Sequence, residues 1–254
     1  MGMHLILGLL LSAAIGLSLG LMGGGGSIIT LPVLVYVIGV DAHQAVGMSL
    51  AVVGAASLIG AALHHRRGTV NVKTGALFGL SGTVGAYFGS RLTYLFSAGA
   101  LLLSFAALML VIALLMLTGQ RGVKSETAFG HHIRFKAVLA GLVVGLLTGF
   151  LGVGGGFLIV PALVLFGGLA MKDAIGTSLM VIAINCAAGL AAHLSYGGFD
   201  LRVTALVTAL AAAGTLAGTA LSHRTAPQNL RRGFAVFVIA VAAFLIAENY
   251  STLF

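Results

Sequence analysis

The residues with most chemical potential in this chain are two glycine runs set in apolar sequence, Gly23–Gly26 and Gly154–Gly156. Glycine inside a helix costs about 1 kcal/mol relative to alanine, so three or four in succession predict a break. A broken helix leaves backbone N–H and C=O groups unpaired, and at membrane depth such breaks persist only within protein or beside a water-filled cavity. Half-helices are expected to begin near Ser27 and Phe157. Their free N–H groups and positive dipole ends would form an anion site. Ser27 is the expected cap of the first half-helix, and Pro32 and Pro161, about a turn later, predict a kink or a delayed helix start. Glycine also serves close helix packing, which suits the spaced pairs Gly75/Gly79, Gly85/Gly89, Gly141/Gly145 and Gly214/Gly218 better than a consecutive run.

Polar residues inside the apolar segments complete the candidate site. Ser49, Ser57, Thr177, Ser178 and Asn185 fall on segments that follow the glycine runs. A lone serine or threonine in a membrane helix usually bonds its own backbone. The recurrence of Gly-Met-Ser49 as Gly-Thr-Ser178 singles out the two serines. The candidate substrate-binding set is therefore Gly24, Gly25, Gly26, Ser27, Ser49, Gly154, Gly155, Gly156, Thr177, Ser178 and Asn185. His64 and His193 end equivalent segments; they read as interfacial anchors or C-terminal caps, or as proton-coupling groups, because histidine titrates near neutral pH. No acidic residue lies clearly within an apolar segment: Asp41, Asp173 and Asp200 fall in loops and Glu248 near the chain's end. Proton relays and cation pumps usually use buried acids, so cation transport is disfavoured. Neither glycine run continues as Gly-Lys-Ser/Thr, so ATP hydrolysis is not expected. No cofactor, metal or catalytic group is assigned.

The elements that must position these residues are membrane helices. The chain is 59% hydrophobic and 7% charged, with mean hydropathy +1.15, against about 25% charged residues in soluble domains. Segments 5–22, 43–63, 74–90, 98–118, 137–150, 174–194, 203–221 and 233–247 lack Asp, Glu, Lys and Arg. Each approaches the roughly 20 apolar residues of a bilayer crossing. The strict alternation of a barrel strand is absent. The expected fold is thus an all-α polytopic membrane protein. A net charge of +8 could suggest nucleic acid, yet the 13 basic residues lie between the apolar segments, where topology signals belong. The single cysteine, Cys186, excludes an intrachain disulfide and a cysteine zinc cluster. The first residues carry no basic segment of the kind that opens a signal peptide.

The chain repeats itself. Gly20-Leu-Met-Gly-Gly-Gly-Gly-Ser-Ile-Ile-Thr-Leu-Pro32 aligns with Gly149-Phe-Leu-Gly-Val-Gly-Gly-Gly-Phe-Leu-Ile-Val-Pro161 at an offset of 129, which also pairs Ser49 with Ser178 and His64 with His193. Residues 20–73 and 149–202 share 17 identities in 54 positions without a gap, and the shared Pro, Ser and His positions argue against chance likeness of Gly/Ala-rich sequence. Such duplication is common in secondary transporters. It divides the chain into a first unit (1–120), a linker (121–133) and a second unit (134–254). Each unit is read as a glycine-broken hairpin plus three helices, which makes the copies inverted. Arg66, Arg67, Lys73, Arg121, Lys124, Arg134, Lys136, Lys172, Arg224, Arg231 and Arg232 then share one side, 11 against the 2 of Arg91 and Arg202. Parallel copies would give a weaker split of 8 against 5. The positive-inside rule makes the linker cytoplasmic and both ends external.

The duplicated Gly-x-x-Gly-x-Gly-Gly-x-(apolar)₄-Pro pattern, followed by Ala-(Val/Ile)-Gly-(Met/Thr)-Ser-Leu, resembles the TauE/SafE sulfite exporter family, also called TSUP permeases, over about residues 5–248. The resemblance implies a permease of the cell inner membrane carrying a small anionic substrate: sulfite, thiosulfate or an organosulfonate. The first copy reads Gly24-Gly25-Gly26-Ser27 where the second reads Val153-Gly154-Gly155-Gly156, so the two half-sites need not contribute equally. Two other classes stay open: an intramembrane enzyme using His64, His65 and His193, and a non-transporting assembly factor.

Overall fold

A computed structural model of the chain describes residues 3–92, 98–118, 138–147, 156–193 and 200–249. Among the described residues the regular structure is entirely helical. In chain order the helices are α1 (Met3–Met22), α2 (Gly25–Pro32), α3 (Ala42–Arg66), α4 (Val72–Leu92), α5 (Ala98–Thr118), α6 (Val138–Leu147), α7 (Gly156–Leu165), α8 (Met171–His193), α9 (Leu201–Arg224) and α10 (Pro227–Asn249). Three stretches, Gln44–Arg66, Met171–Ala191 and Leu201–Arg224, are long and apolar enough to cross a membrane. Leu10, Leu58, Leu80 and Phe244 are exposed on the outer faces, as suits side chains that meet lipid rather than water.

Glycine decides how the first unit turns. α1 ends at Gly23, whose φ of +75° favours a residue without Cβ, and α2 starts two residues later. It then runs back along α1: Gly26 packs on the backbone of Ile15, and Ile38 packs on Gly8. The first broken segment is therefore a hairpin. Pro32 neither delays nor stops α2. Instead the helix widens behind it into a π-helical turn, Val33–Val37, with Ile38 N–H bonded to Val33 O at 3.0 Å. This suits a residue that removes one N–H from the α ladder.

The second unit repeats these details at the same offset. Gly167 N–H bonds Ala162 O at 3.1 Å, the equivalent of the Ile38–Val33 bond, and Gly39 and Gly168 both take positive φ, +81° and +64°. Asn71 and Asp200, also equivalent, cap α4 and α9: Asn71 Oδ1 accepts from Thr74 N–H at 3.0 Å and Asp200 Oδ1 from Arg202 N–H at 2.8 Å. Tertiary contacts repeat too. Gly85 lies against Leu142 O and Leu146 N, and Gly214 lies against Ala13 O and Leu17 N. Gly145 meets Gly82, and Gly16 meets Ala211. The α1–α9 and α4–α6 pairs are thus the same packing, with backbones brought close by small residues. At the centre α3 packs on α8, its own counterpart. Leu50 faces Gly189, Gly54 faces Cys186, Gly60 faces Leu179 and His64 faces Gly176. One number falls as the other rises, so the two helices are antiparallel.

Candidate functional site

The first glycine break meets the start of α7 in the middle of this arrangement. Gly24 is packed so tightly on the backbone of Gly156 and Phe157 that a Cβ there would overlap the Gly156 carbonyl. Gly156 in turn abuts the Ser27 hydroxyl. The start of α2 and the start of α7 therefore lie side by side, each worth about half a positive charge. Gly24 is the N-terminal flanking residue of α2, and no side chain caps that end.

Ser27 plays a different part from the expected cap. The helix begins at Gly25 rather than near Ser27, and the Ser27 hydroxyl donates to Gly24 O at 2.7 Å. It binds a carbonyl because it already sits inside the first turn, where its own N–H also points at Gly24 O, at 3.3 Å. Gly24, Gly25 and Gly26 are buried and Ser27 is half-buried. Gly156 is buried at the first position of α7, while Gly154 and Gly155 fall outside the described residues.

α8 closes over the first break. Ser178, fully buried, lies with its hydroxyl 2.7 Å from Gly23 O and 2.8 Å from Ile175 O, either of which can accept its one proton. Ile175 also packs on Gly23. Thr177, equally buried, faces elsewhere: its Oγ1 accepts from Asn71 N–H at 2.9 Å and so tethers the start of α4 to α8. Ser49 is half-buried on α3. Asn185 is half-buried on α8, and its Oδ1 is buried without a partner, as is the Ser57 hydroxyl on α3. The structure thus gathers Gly24, Gly25, Gly26, Ser27, Gly156 and Ser178 at the break and sets Thr177 to one side.

These features match a known family over residues 8–245, that described as "Sulfite exporter TauE/SafE". The chain belongs to the TauE/SafE sulfite exporter family. Curated relatives agree in kind. A protein of Xylella fastidiosa (strain 9a5c) named "Probable membrane transporter protein" is 35% identical over 247 residues, 94% of each chain. The "Probable membrane transporter protein YdhB" of Bacillus subtilis (strain 168) is 28% identical over 214 residues, 80% of this chain and 83% of its own. A "Probable membrane transporter protein" of Haemophilus influenzae is 26% identical over 261 residues, 94% and 96%. No solved structure matches the chain at a significant level. This TauE/SafE member is accordingly a multi-pass membrane transporter.

The histidines of the TauE/SafE chain divide. His64, fully buried at the end of α3, meets His223 at the end of α9, with ring centroids 4.6 Å apart. His193 ends α8, which runs antiparallel to α3, so its backbone lies at the other end of that helix pair. Sequence reasoning missed His223 and also the buried hydroxyls of Thr215, Thr219 and Ser222 on α9. Their spacing of four and three residues, a polar stripe along one helical face, is the signal that could have found them.

Proposed function

We propose that this chain is a secondary permease for small sulfur-containing anions such as sulfite, thiosulfate or organosulfonates, bound between the two glycine helix starts. The observation that carries the reading is the packing of Gly24 on Gly156. Two positive helix ends side by side repel each other, and an anion between them would relieve that repulsion. The exposed carboxylates of Asp41 and Asp200 sit beside the starts of α3 and α9 instead. A basic side chain at mid-membrane costs about 2.5–3.5 kcal/mol on insertion scales; backbone N–H groups provide positive charge without it. Ser178 and Ser27 line the break, and Ser49 and Asn185 are the further polar groups that the reading assigns to the path. Selectivity would then follow size and donor geometry more than charge.

The hairpin of α1 and α2 and the antiparallel α3–α8 pair support inverted repeats, with an odd number of crossings per unit. Together with the 11-to-2 distribution of basic residues, this favours a cytoplasmic linker, external chain ends and a plasma-membrane location. The decisive experiment is uptake in proteoliposomes against sulfite, thiosulfate, sulfate and two-carbon sulfonates. Sulfite-like anions and sulfonates should compete with one another, while amine and carboxamide analogues should not. Gly25→Val, which would crowd Ser18 Oγ and the Phe237 ring, should abolish uptake with folded protein retained, and Ser27→Ala should be milder. Equal competition by a neutral analogue would remove the anion site.

A further inference from the structure

The His64–His223 pair is built as a site in its own right. Thr69 Oγ1 lies 2.8 Å from His64 Nδ1 and donates to His64 O at 3.1 Å. With its one hydrogen directed at the carbonyl, Thr69 accepts from Nδ1–H, and this pattern assigns a bare lone pair to Nε2 of the neutral ring. That Nε2 is buried and unpartnered, and so is Nε2 of His223. A buried polar atom left without a partner is costly, so such atoms point to something that satisfies them. On α9 the buried hydroxyls of Ser222, the residue before His223, and Thr219, about one turn back, are likewise unpartnered. Thr219 lies against Gly20 at the end of α1, and His64 packs on Gly176, two residues before Ser178. The helices that carry these atoms, α3 and α9, thus pack on α8 and α1, the two elements that border the first glycine break.

The charged surroundings are positive. Lys172 Nζ donates to His223 O at 2.8 Å, and Arg67 acts electrostatically on both rings. Arg67 is exposed, as are His65, Arg66 and Arg224, which flank the pair, and Lys172 and Asp173 are half-buried. The pair has no counterpart in the other copy, because the offset that matches His64 with His193 matches His223 with Tyr94.

We propose that His64 and His223 form a second, one-sided station for a small oxyanion, which binds there together with a proton. A bare Nε2 repels an anion, whereas a protonated Nε2 donates to it. The anion therefore arrives with one proton added to the pair, and Lys172, Arg67, Ser222 and Thr219 hold the remaining charge and oxygens. The chemistry deepens the permease reading, since a transporter with such a station carries anion and proton together.

The probe is thiosulfate, which does not itself titrate near neutral pH. Histidine ¹⁵N signals of the full chain in lipid vesicles, assigned with His64→Gln and His223→Gln, are followed as thiosulfate is added at about pH 6 and about pH 8. We expect the Nε2 signals of the pair to report one added proton on binding, held by one ring or shared between the two. Affinity should be about tenfold higher at the lower pH, within the usual range of coupling, and the pH dependence should flatten in His223→Gln. Unchanged signals, or a dependence that survives in both variants, would overturn the proposal. Thiosulfate uptake in the same vesicles separates the two readings. Response without uptake rejects the permease reading and leaves the station; uptake without response does the reverse.

Discussion

Ser178 shows what one side chain does for the broken backbone. Its hydroxyl is within hydrogen-bonding distance of Gly23 O, a carbonyl at the point where α1 stops and cannot continue its own ladder. Removing it in Ser178→Ala should cost about 1–3 kcal/mol, the usual result of leaving a buried acceptor unsatisfied, and should lower the unfolding temperature in detergent. Gly24→Ala is a sharper change, because its Cβ would overlap the Gly156 carbonyl, which belongs to rigid backbone. It should abolish anion uptake even where folded protein is recovered, and normal uptake would mean that the contact between the breaks is dispensable. Serine at 178 was legible from the repeat. The role of Thr177 was not, because its partner, Asn71 N–H, lies 106 residues away in sequence and is brought near only by packing.

At the scale of helices, small residues set which elements can approach. Gly214 on α9 presses on Ala13 O and Leu17 N of α1, and Gly85 on α4 makes the equivalent approach to α6. A side chain at either position has nowhere to go, so Gly214→Val should prevent folded, monodisperse protein from being recovered. Gly39→Ala offers the contrast: nothing lies within 4 Å of its Cβ position, and only the φ of +81° opposes it. It should fold, with a loss of about 1–2 kcal/mol read from thermal unfolding. Equal behaviour of the two variants would deny the tight α1–α9 packing. The small-residue spacing was legible in the sequence, but not the choice of partner: Gly85 and Gly214 serve matching helices, and nothing local says that each meets the first helix of the other unit.

For the whole molecule, the proposed inverted arrangement makes a direct prediction about topology. In a Cys186→Ala background, Ser125→Cys in the linker should escape an impermeant thiol reagent added to intact cells and react after permeabilisation. Ready labelling in intact cells would reverse the orientation. The first glycine break, the start of α7 close to Phe157 and the apolar helices could all be read from residue order. These depend on short-range chemistry: glycine cannot hold a helix, and a bilayer demands long apolar runs. Tertiary structure alone decided that Gly24 lies on Gly156 and that His64 meets His223 rather than its repeat partner His193. Each of those is a contact between backbones or side chains distant in sequence. It depends on helix crossing geometry and close packing, which no periodicity within one segment encodes.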